Sequence, residues 1–170
     1  MENEIVNRVA QSTLLTIDLE ALYIPGERVL YDMAENLYEG IILKEKEFRH
    51  FLQTHDWVAY QGKHVAIICS ADAIVPRWAY MLLAVKLQPH AATVVFGDLA
   101  FLESHLFSRA LDKIDLKIYE DKKVVIKGCS KLDVPLSAYV AISAMLRPLA
   151  NSIMYGEPCS TVPIYKISKK

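Results

Sequence analysis

The chain has 170 residues, of which 53% are hydrophobic and 23% are charged, and its net charge at pH 7 is -1. This length and this balance are typical of one soluble globular domain, and nothing in the overall charge suggests a partner such as nucleic acid. We therefore predict a single domain over residues 1–170 with no nucleic-acid partner.

The sequence carries no recognisable targeting or membrane signal. The polar, acidic N-terminus lacks the basic and apolar regions of a signal peptide, and the most apolar stretch, WAYMLLAVKL, is about half as long as a membrane span. We therefore expect a cytoplasmic protein with no membrane partner. In that reducing compartment the three cysteines are expected to remain thiols.

Residues 1–62 predict an N-terminal extension that contains a strand and a helix. The stretch LLTIDLEALYI mixes β-branched and aromatic residues and predicts a strand that ends at Pro25-Gly26. The stretch KEKEFRHFLQTHDW places its large apolar residues on one face, which predicts a helix. The segment between them, ERVLYDMAENLYEGIIL, is ambiguous.

Strands and helices alternate from residue 63 onward. Short apolar runs predict strands at KHVAIIC, ATVVFGD, DKKVVIKGC and NSIMYG. Helices are predicted at residues 77–87, 99–114 and 135–146, and prolines favour the start of two of them. This alternation is typical of an α/β fold with a mostly parallel sheet.

The sequence also predicts an internal repeat. Residues 69–98 match residues 129–157 with one gap, and both segments contain Cys-Ser, Val-Pro and Ala-Tyr pairs followed by single Leu, Pro, Ala and Gly residues in the same order. We therefore predict two repeated strand-loop-helix-strand units. The predicted segments are an N-terminal extension (1–62), a first repeat (63–98), a connecting helix segment (99–121), a second repeat (122–157) and a cysteine-containing tail (158–170).

All three cysteines are predicted at the carboxyl ends of strands. Cys69 and Cys129 take equivalent places in the two repeats, just before helices, and Cys159 follows the last predicted strand. Open α/β sheets bind ligands at this edge, and a helix N-terminus favours the thiolate form that ligates metals. Three thiolates suit zinc or an iron–sulfur cluster, with Asp72 and Glu157 as candidate further ligands. The sequence therefore predicts one shared cysteine site.

Two other interpretations of the cysteines remain open. A single thiol of low pKa, with Asp72 or Glu157 as its acid–base partner, would make the protein an enzyme of sulfur or acyl transfer. Free cysteines also pack as small hydrophobic residues, and the protein would then be a non-catalytic interaction module. The chain has no phosphate-binding P-loop, no G-x-G-x-x-G dinucleotide motif and no G-x-S-x-G nucleophile elbow, so these patterns name no other enzyme class.

Several motifs resemble a known family over nearly the whole chain. They are LTIDLEALY, GERV, ILKEKEFR and HDWVAYQGK in the first third, and CSADAIVPRWAYMLLA, VVFGDL, VVIKGCSK and SIMYGEPCSTVPIYK after it. The chain is thereby similar to the bacterial family catalogued as domain of unknown function 2480. Genes of this family often lie beside iron–sulfur cluster assembly genes, so the resemblance implies a role in iron–sulfur metabolism with iron–sulfur assembly proteins as partners. It assigns no catalytic residue.

Overall fold

The computed structural model describes residues 14–128, 131–157 and 160–168, and the chain divides into two compact units. The first unit combines Met1–Ile24 with Leu106–Lys170, and the second unit is Pro25–His105. The strands are β1 (Leu14–Asp18), β2 (Arg28–Asp32), β3 (His64–Ile68), β4 (Thr93–Phe96), β5 (Lys123–Lys127), β6 (Ser152–Glu157) and β7 (Ser160–Lys166). The α-helices are α1 (Glu45–Thr54), α2 (Arg77–Leu87), α3 (Leu99–Leu111) and α4 (Leu136–Leu146).

The strands of the described residues form two sheets, whereas the sequence predicted one. In the first unit the strand order is β1-β5-β6-β7, with three parallel strands and β7 antiparallel to β6. In the second unit the order is β2-β3-β4, and all three strands are parallel. The α/β class is therefore confirmed and the single sheet is wrong. The reason is that β1 pairs with β5 while β2 pairs with β3, and hydrophobic periodicity identifies a strand without identifying its partner.

The tail predicted at residues 158–170 contains a strand that the sequence analysis missed. β7 pairs with β6 in antiparallel fashion, and Glu157 lies opposite Ser160. The strand includes Pro163, which has no backbone N–H to donate. Proline is tolerated in β7 because the strand lies at the edge of its sheet, but a proline within an apolar run argues against a strand when only the sequence is read.

Each unit has its own hydrophobic core around an inner strand that is buried on both faces. Val124, Val125 and Ile126 of β5 are buried in the first unit, and residues 64–67 of β3 are buried in the second. Continuous buried runs of this kind are typical of parallel sheets, in which both faces of the strand are covered.

Helices α2 and α4 contribute to these cores through the same pattern. Both begin directly after a proline, because the N–H that proline lacks is not needed in the first turn of a helix. Their buried residues recur every four positions, which places them on one stripe of each helix. These residues are Ala79, Leu83 and Leu87 in α2, and Ala138, Ile142 and Leu146 in α4. The predicted helices at 77–87 and 135–146 are confirmed within one residue.

In the described part of the chain, four short 3-10 helices flank the strands, and an aspartate directly precedes each of them. The aspartate carboxylate accepts a hydrogen bond from the N–H two residues later, which caps the helix. The caps are Asp18, Asp32, Asp56 and Asp115, and the helices are Leu19–Leu22, Met33–Asn36, Trp57–Tyr60 and Leu116–Tyr119. Asp18 therefore ends β1 well before Pro25, where the sequence pattern predicted the strand to end.

The helices of the described residues are short. The longest of them, α3, has 13 residues. None of the helices in these ranges is long and apolar enough to cross a membrane.

Candidate functional site

The carboxyl ends of β2 and β3 carry a group of polar side chains in the second unit. Cys69 directly follows β3 and is half-buried. Its thiol donates a weak hydrogen bond to the carbonyl of Ala71, with Sγ 3.7 Å from the oxygen. Tyr80, in α2, is a neighbour of the same thiol, which contributes to raising the pKa of the tyrosine. These contacts hold Cys69 at the sheet edge where open α/β folds bind their ligands.

Tyr80 keeps its proton at neutral pH. Burial is the main cause that raises the pKa of its phenol above the ordinary value of 10.0. The interaction with Cys69 and the charge of Asp32 raise this pKa further. The Tyr80 ring meets the ring of Phe96 edge-on, with centroids 5.3 Å apart and planes at 82°. Tyr80 is therefore a held, protonated hydrogen-bond donor beside the thiol.

Asp32 connects the end of β2 to the loop that follows β3. Its Oδ1 accepts hydrogen bonds from the backbone N–H groups of Ala34 at 2.9 Å and of Ser70 at 3.0 Å. The side-chain hydrogen bond from Ser70 is the main cause that lowers the pKa of Asp32 below its ordinary value of 3.8. Asp32 is thus an ionised carboxylate at neutral pH, and it fixes the backbone next to Cys69.

The candidate metal ligands that the structure describes belong to two different units. Asp72 is exposed in the loop that begins with Cys69, whereas Glu157 is exposed at the end of β6 in the first unit. Cys129 and Cys159 lie outside the described residues. Within the described ranges, no group of three His, Cys, Asp or Glu side chains is arranged to hold a metal ion. The three-cysteine site therefore stays a prediction.

The first unit has a tyrosine at the same point of its own helix. Tyr139 is the fourth residue of α4, as Tyr80 is of α2, and its hydroxyl donates a hydrogen bond to the carbonyl of Gly128, directly after β5. The Tyr139 ring meets the Tyr155 ring edge-on, with centroids 5.8 Å apart and planes at 83°. Gly128 has a φ of 152°, and a Cβ there would lie 2.8 Å from the Cβ of Leu19. The helix tyrosine thus donates to a backbone carbonyl in the first unit and neighbours a thiol in the second.

A cavity of about 550 Å³ lies next to Tyr139 in the first unit. It is formed at the carboxyl ends of β5 and β6, by the loop after β5, the start of α4 and strand β7. Its lining is mainly apolar and includes Leu132, Val134, Leu136 and Ile164. This volume and this lining are typical of small-molecule sites in proteins.

Two residues near the thiol of Cys69, Asp32 and Tyr80, were not predicted from the sequence. Asp32 falls in the stretch that the sequence pattern left ambiguous, and Tyr80 belongs to a helix with so many apolar residues that its aromatic side chains suggest core packing. Two signals point to them in retrospect. An Ala-Tyr pair follows Val-Pro at the start of a helix in both halves of the chain, and Asp18 and Asp32 each end a short run of β-forming residues.

Comparison with known proteins identifies the family. A family model described as "Protein of unknown function (DUF2480)" matches residues 3–167, which is nearly the whole chain. No curated protein and no solved structure matches this chain. The match agrees with the resemblance carried by the sequence motifs. The chain therefore belongs to the DUF2480 family of proteins of unknown function.

Proposed function

We propose that the protein acts through the thiol of Cys69, which accepts a sulfur or acyl group from a donor thiol compound. The position of Cys69 carries this proposal, because the half-buried thiol directly follows the inner strand of a parallel sheet and has Tyr80 as a neighbour. Ligands of open parallel sheets bind at this edge. Reactive thiols sit in partly exposed places with groups that favour the thiolate, whereas inert ones are buried in apolar surroundings.

The proposed reaction is an exchange at Sγ of Cys69. The thiolate attacks the outer sulfur of a persulfide or the carbonyl carbon of a thioester. The bond from that atom to the donor sulfur breaks, and the donor leaves as a thiol with the proton that Cys69 has given up. One thiol is consumed and one is produced, so the step needs no oxidant or reductant. Tyr80 supports the attack by donating a hydrogen bond to the thiolate.

The test is the rate at which each cysteine is alkylated. Native protein is treated with iodoacetamide at pH 7, and the modified Cys69, Cys129 and Cys159 peptides are measured by mass spectrometry over time. We expect Cys69 to react about ten times faster than a thiol of the unfolded chain, because the thiolate is the reactive form. Slow labelling of Cys69, at the rate of an ordinary thiol or below, would overturn the proposal.

Tyr139 provides a matched control for Tyr80. Y80F removes the hydroxyl that neighbours Cys69, and Y139F removes a hydroxyl from the same helix position in the first unit. We expect Y80F to slow the alkylation of Cys69 several-fold and Y139F to leave it unchanged. The same effect from both variants would mean that Tyr80 acts only through the general packing of α2.

An internal duplication is part of this proposal, and the positions of the elements support it. α4 begins 59 residues after α2 (77 to 136), and β5 begins 59 residues after β3 (64 to 123). The loops between strand and helix, residues 69–76 and 128–135, are therefore equally long. This alignment needs no gap, and it pairs Cys69 with Gly128 in place of Cys129. The repeat boundaries predicted from the sequence stay predictions.

Binding of zinc or an iron–sulfur cluster by Cys69, Cys129 and Cys159 is a second candidate function. It is favoured by the order of the chain, because Cys69 is the first residue after β3 and Cys129 the second after β5. Thiolates are the preferred ligands of both groups. Elemental analysis of protein purified without oxygen should then find zinc or iron that C69S loses. Metal-free protein from that preparation would contradict this candidate. Iron–sulfur assembly proteins are the proposed partners, as cluster acceptors here or as sulfur donors to Cys69.

A further inference from the structure

The mouth of the first unit's cavity exposes large apolar side chains. Leu136, the first residue of α4, is 81% exposed, and Ile164 of β7 is 54% exposed. Both line the cavity together with buried apolar groups such as Ile126 and Val134. An apolar molecule in the cavity would remove these side chains from water, which is the main driving force of ligand binding in apolar sites.

Two polar groups of the cavity lining are available to a ligand. Ser143 and Asp133 line the cavity, and neither side chain has a hydrogen-bond or ion-pair partner among the described residues. A carboxylate only accepts hydrogen bonds, and a hydroxyl both accepts and donates. A ligand with an N–H group would satisfy both side chains.

The charge at the cavity disfavours anions. No lysine, arginine or histidine is among the described residues that line it, and Asp133 is its one charged group in that part of the chain. The start of α4 also faces the cavity, and a helix N-terminus carries about half a positive elementary charge. The full negative charge of Asp133 is larger than this partial positive charge of the helix. The described lining residues therefore carry one net negative charge, which favours a neutral or cationic molecule over an anion.

From these features we propose that the cavity binds a small, mainly apolar amine. The apolar body fills the space between α4 and β7, and the N–H group bonds to Asp133 and Ser143. This binding site goes beyond the thiol chemistry proposed for Cys69, and it depends on neither Cys69 nor its neighbours.

The second unit supplies internal controls because it differs at the corresponding positions. In the alignment with an offset of 59 residues, Asp133 corresponds to Ile74 and Ser143 to Ala84. In addition, the described residues of that unit form a sheet of only three strands, which has no counterpart of β7. A substitution at Ala84 therefore tests the effect of changing α2 without changing the cavity.

The test uses two fluorescent probes that differ by one sulfonate group. N-phenyl-1-naphthylamine is an uncharged aromatic amine, and 8-anilino-1-naphthalenesulfonate is an anion on the same skeleton. We expect the fluorescence of the amine to increase and to saturate at one molecule per chain, and the sulfonate to bind at least ten times more weakly. Amine fluorescence that rises without saturation, or equal affinities for the two probes, would overturn the proposal.

Substitutions then locate the site. S143W places a large ring in the cavity and should abolish saturable amine binding, whereas A84W should leave it unchanged. Asp133 lies in an exposed loop, and D133K should raise the affinity for the sulfonate at least five-fold. This variant tests the charge argument even if circular dichroism shows that S143W does not fold. Native amine affinity in a folded S143W, or unchanged sulfonate affinity in D133K, would contradict the assignment. C69S should bind the amine as the native protein does, so failure of the thiol proposal is separable from failure of this one.

Discussion

The Oδ1 atom of Asp32 lies 3.0 Å from the backbone nitrogen of Ser70 and accepts its hydrogen bond. The bond joins two segments that leave the same edge of the sheet, because β2 and β3 are parallel neighbours. The same oxygen accepts from Ala34 and so caps the 3-10 helix that follows β2. One carboxylate thus fixes two backbone segments beside the thiol of Cys69.

Removing the charge of Asp32 should loosen the loop at residues 69–76. The pKa of Asp32 in the fold lies below its ordinary value of 3.8, so the ionised group stabilises the folded loop at neutral pH. This stabilisation is lost as the pH falls through the lowered pKa. We expect the protection of the Ser70 N–H from hydrogen exchange to fall in the native protein only as the pH drops below the ordinary value of 3.8, and to be low at every pH in D32N.

Asp56 provides the control for this exchange experiment. Its carboxylate caps the 3-10 helix Trp57–Tyr60 as Asp32 caps Met33–Asn36, but its hydrogen bond goes to Val58 instead of the loop after β3. D56N should therefore leave the protection of Ser70 unchanged. Equal loss of protection in D56N and D32N would contradict the role assigned to Asp32.

The ion pair between Arg28 and Glu103 should stabilise the second unit. Nε and Nη2 of Arg28 donate to the two carboxylate oxygens at 2.9 and 3.0 Å, and the side chains are only 14% and 22% exposed. E103Q should lower the free energy of unfolding by about 1–3 kcal/mol, since charge-assisted bonds shielded from water are the strong ones. E27Q, which breaks the more exposed pair with Lys63, should cost less than about 1 kcal/mol. Equal losses of unfolding free energy in E103Q and E27Q, measured by urea unfolding, would contradict this expectation.

A cavity substitution in α2 should cost more stability than one on its exposed face. Leu83 is fully buried, and L83A should lower the free energy of unfolding by about 3–5 kcal/mol through lost burial and the cavity left behind. Met81 is 68% exposed in the same helix, and M81A should change the free energy of unfolding by less than about 0.5 kcal/mol. Tryptophan fluorescence in urea reports this unfolding, because both tryptophans lie in the second unit. A small effect of L83A would mean that α2 does not pack as described.

The elements of the fold were predictable where local sequence determines them. The run Val124–Ile126 indicates a strand buried on both faces, and residues spaced by four after Pro76 and Pro135 indicate two helices. The number of sheets was not predictable, since it depends on pairings between distant segments such as β1 with β5. β7 was missed because Pro163 argues against a strand unless the strand is known to lie at an edge.

The candidate site shows the same division between local and distant information. The position of Cys69 at the end of a strand followed from the apolar run before it. Its neighbours did not, because Asp32 reaches the loop from 38 residues earlier in the chain and nothing in the sequence pairs β2 with β3. The cavity depends on β7, so a sequence analysis without that strand had no means of finding it.

Gly128→Ala should disturb both the stability of the first unit and its cavity. The φ of 152° at this position strains any other residue by about 1–3 kcal/mol, and the added Cβ would lie 2.8 Å from the Cβ of Leu19 and 3.3 Å from the Tyr139 hydroxyl. Because Gly128 and Tyr139 both line the cavity, we expect G128A to weaken binding of N-phenyl-1-naphthylamine several-fold as well. Gly40→Ala is the control, since its φ is 71° and no atom lies within 4 Å of the added Cβ. G40A should cost only about 1 kcal/mol of backbone strain and leave amine binding intact. Equal effects of the two variants on amine affinity would show that the packing around Gly128 does not shape the cavity.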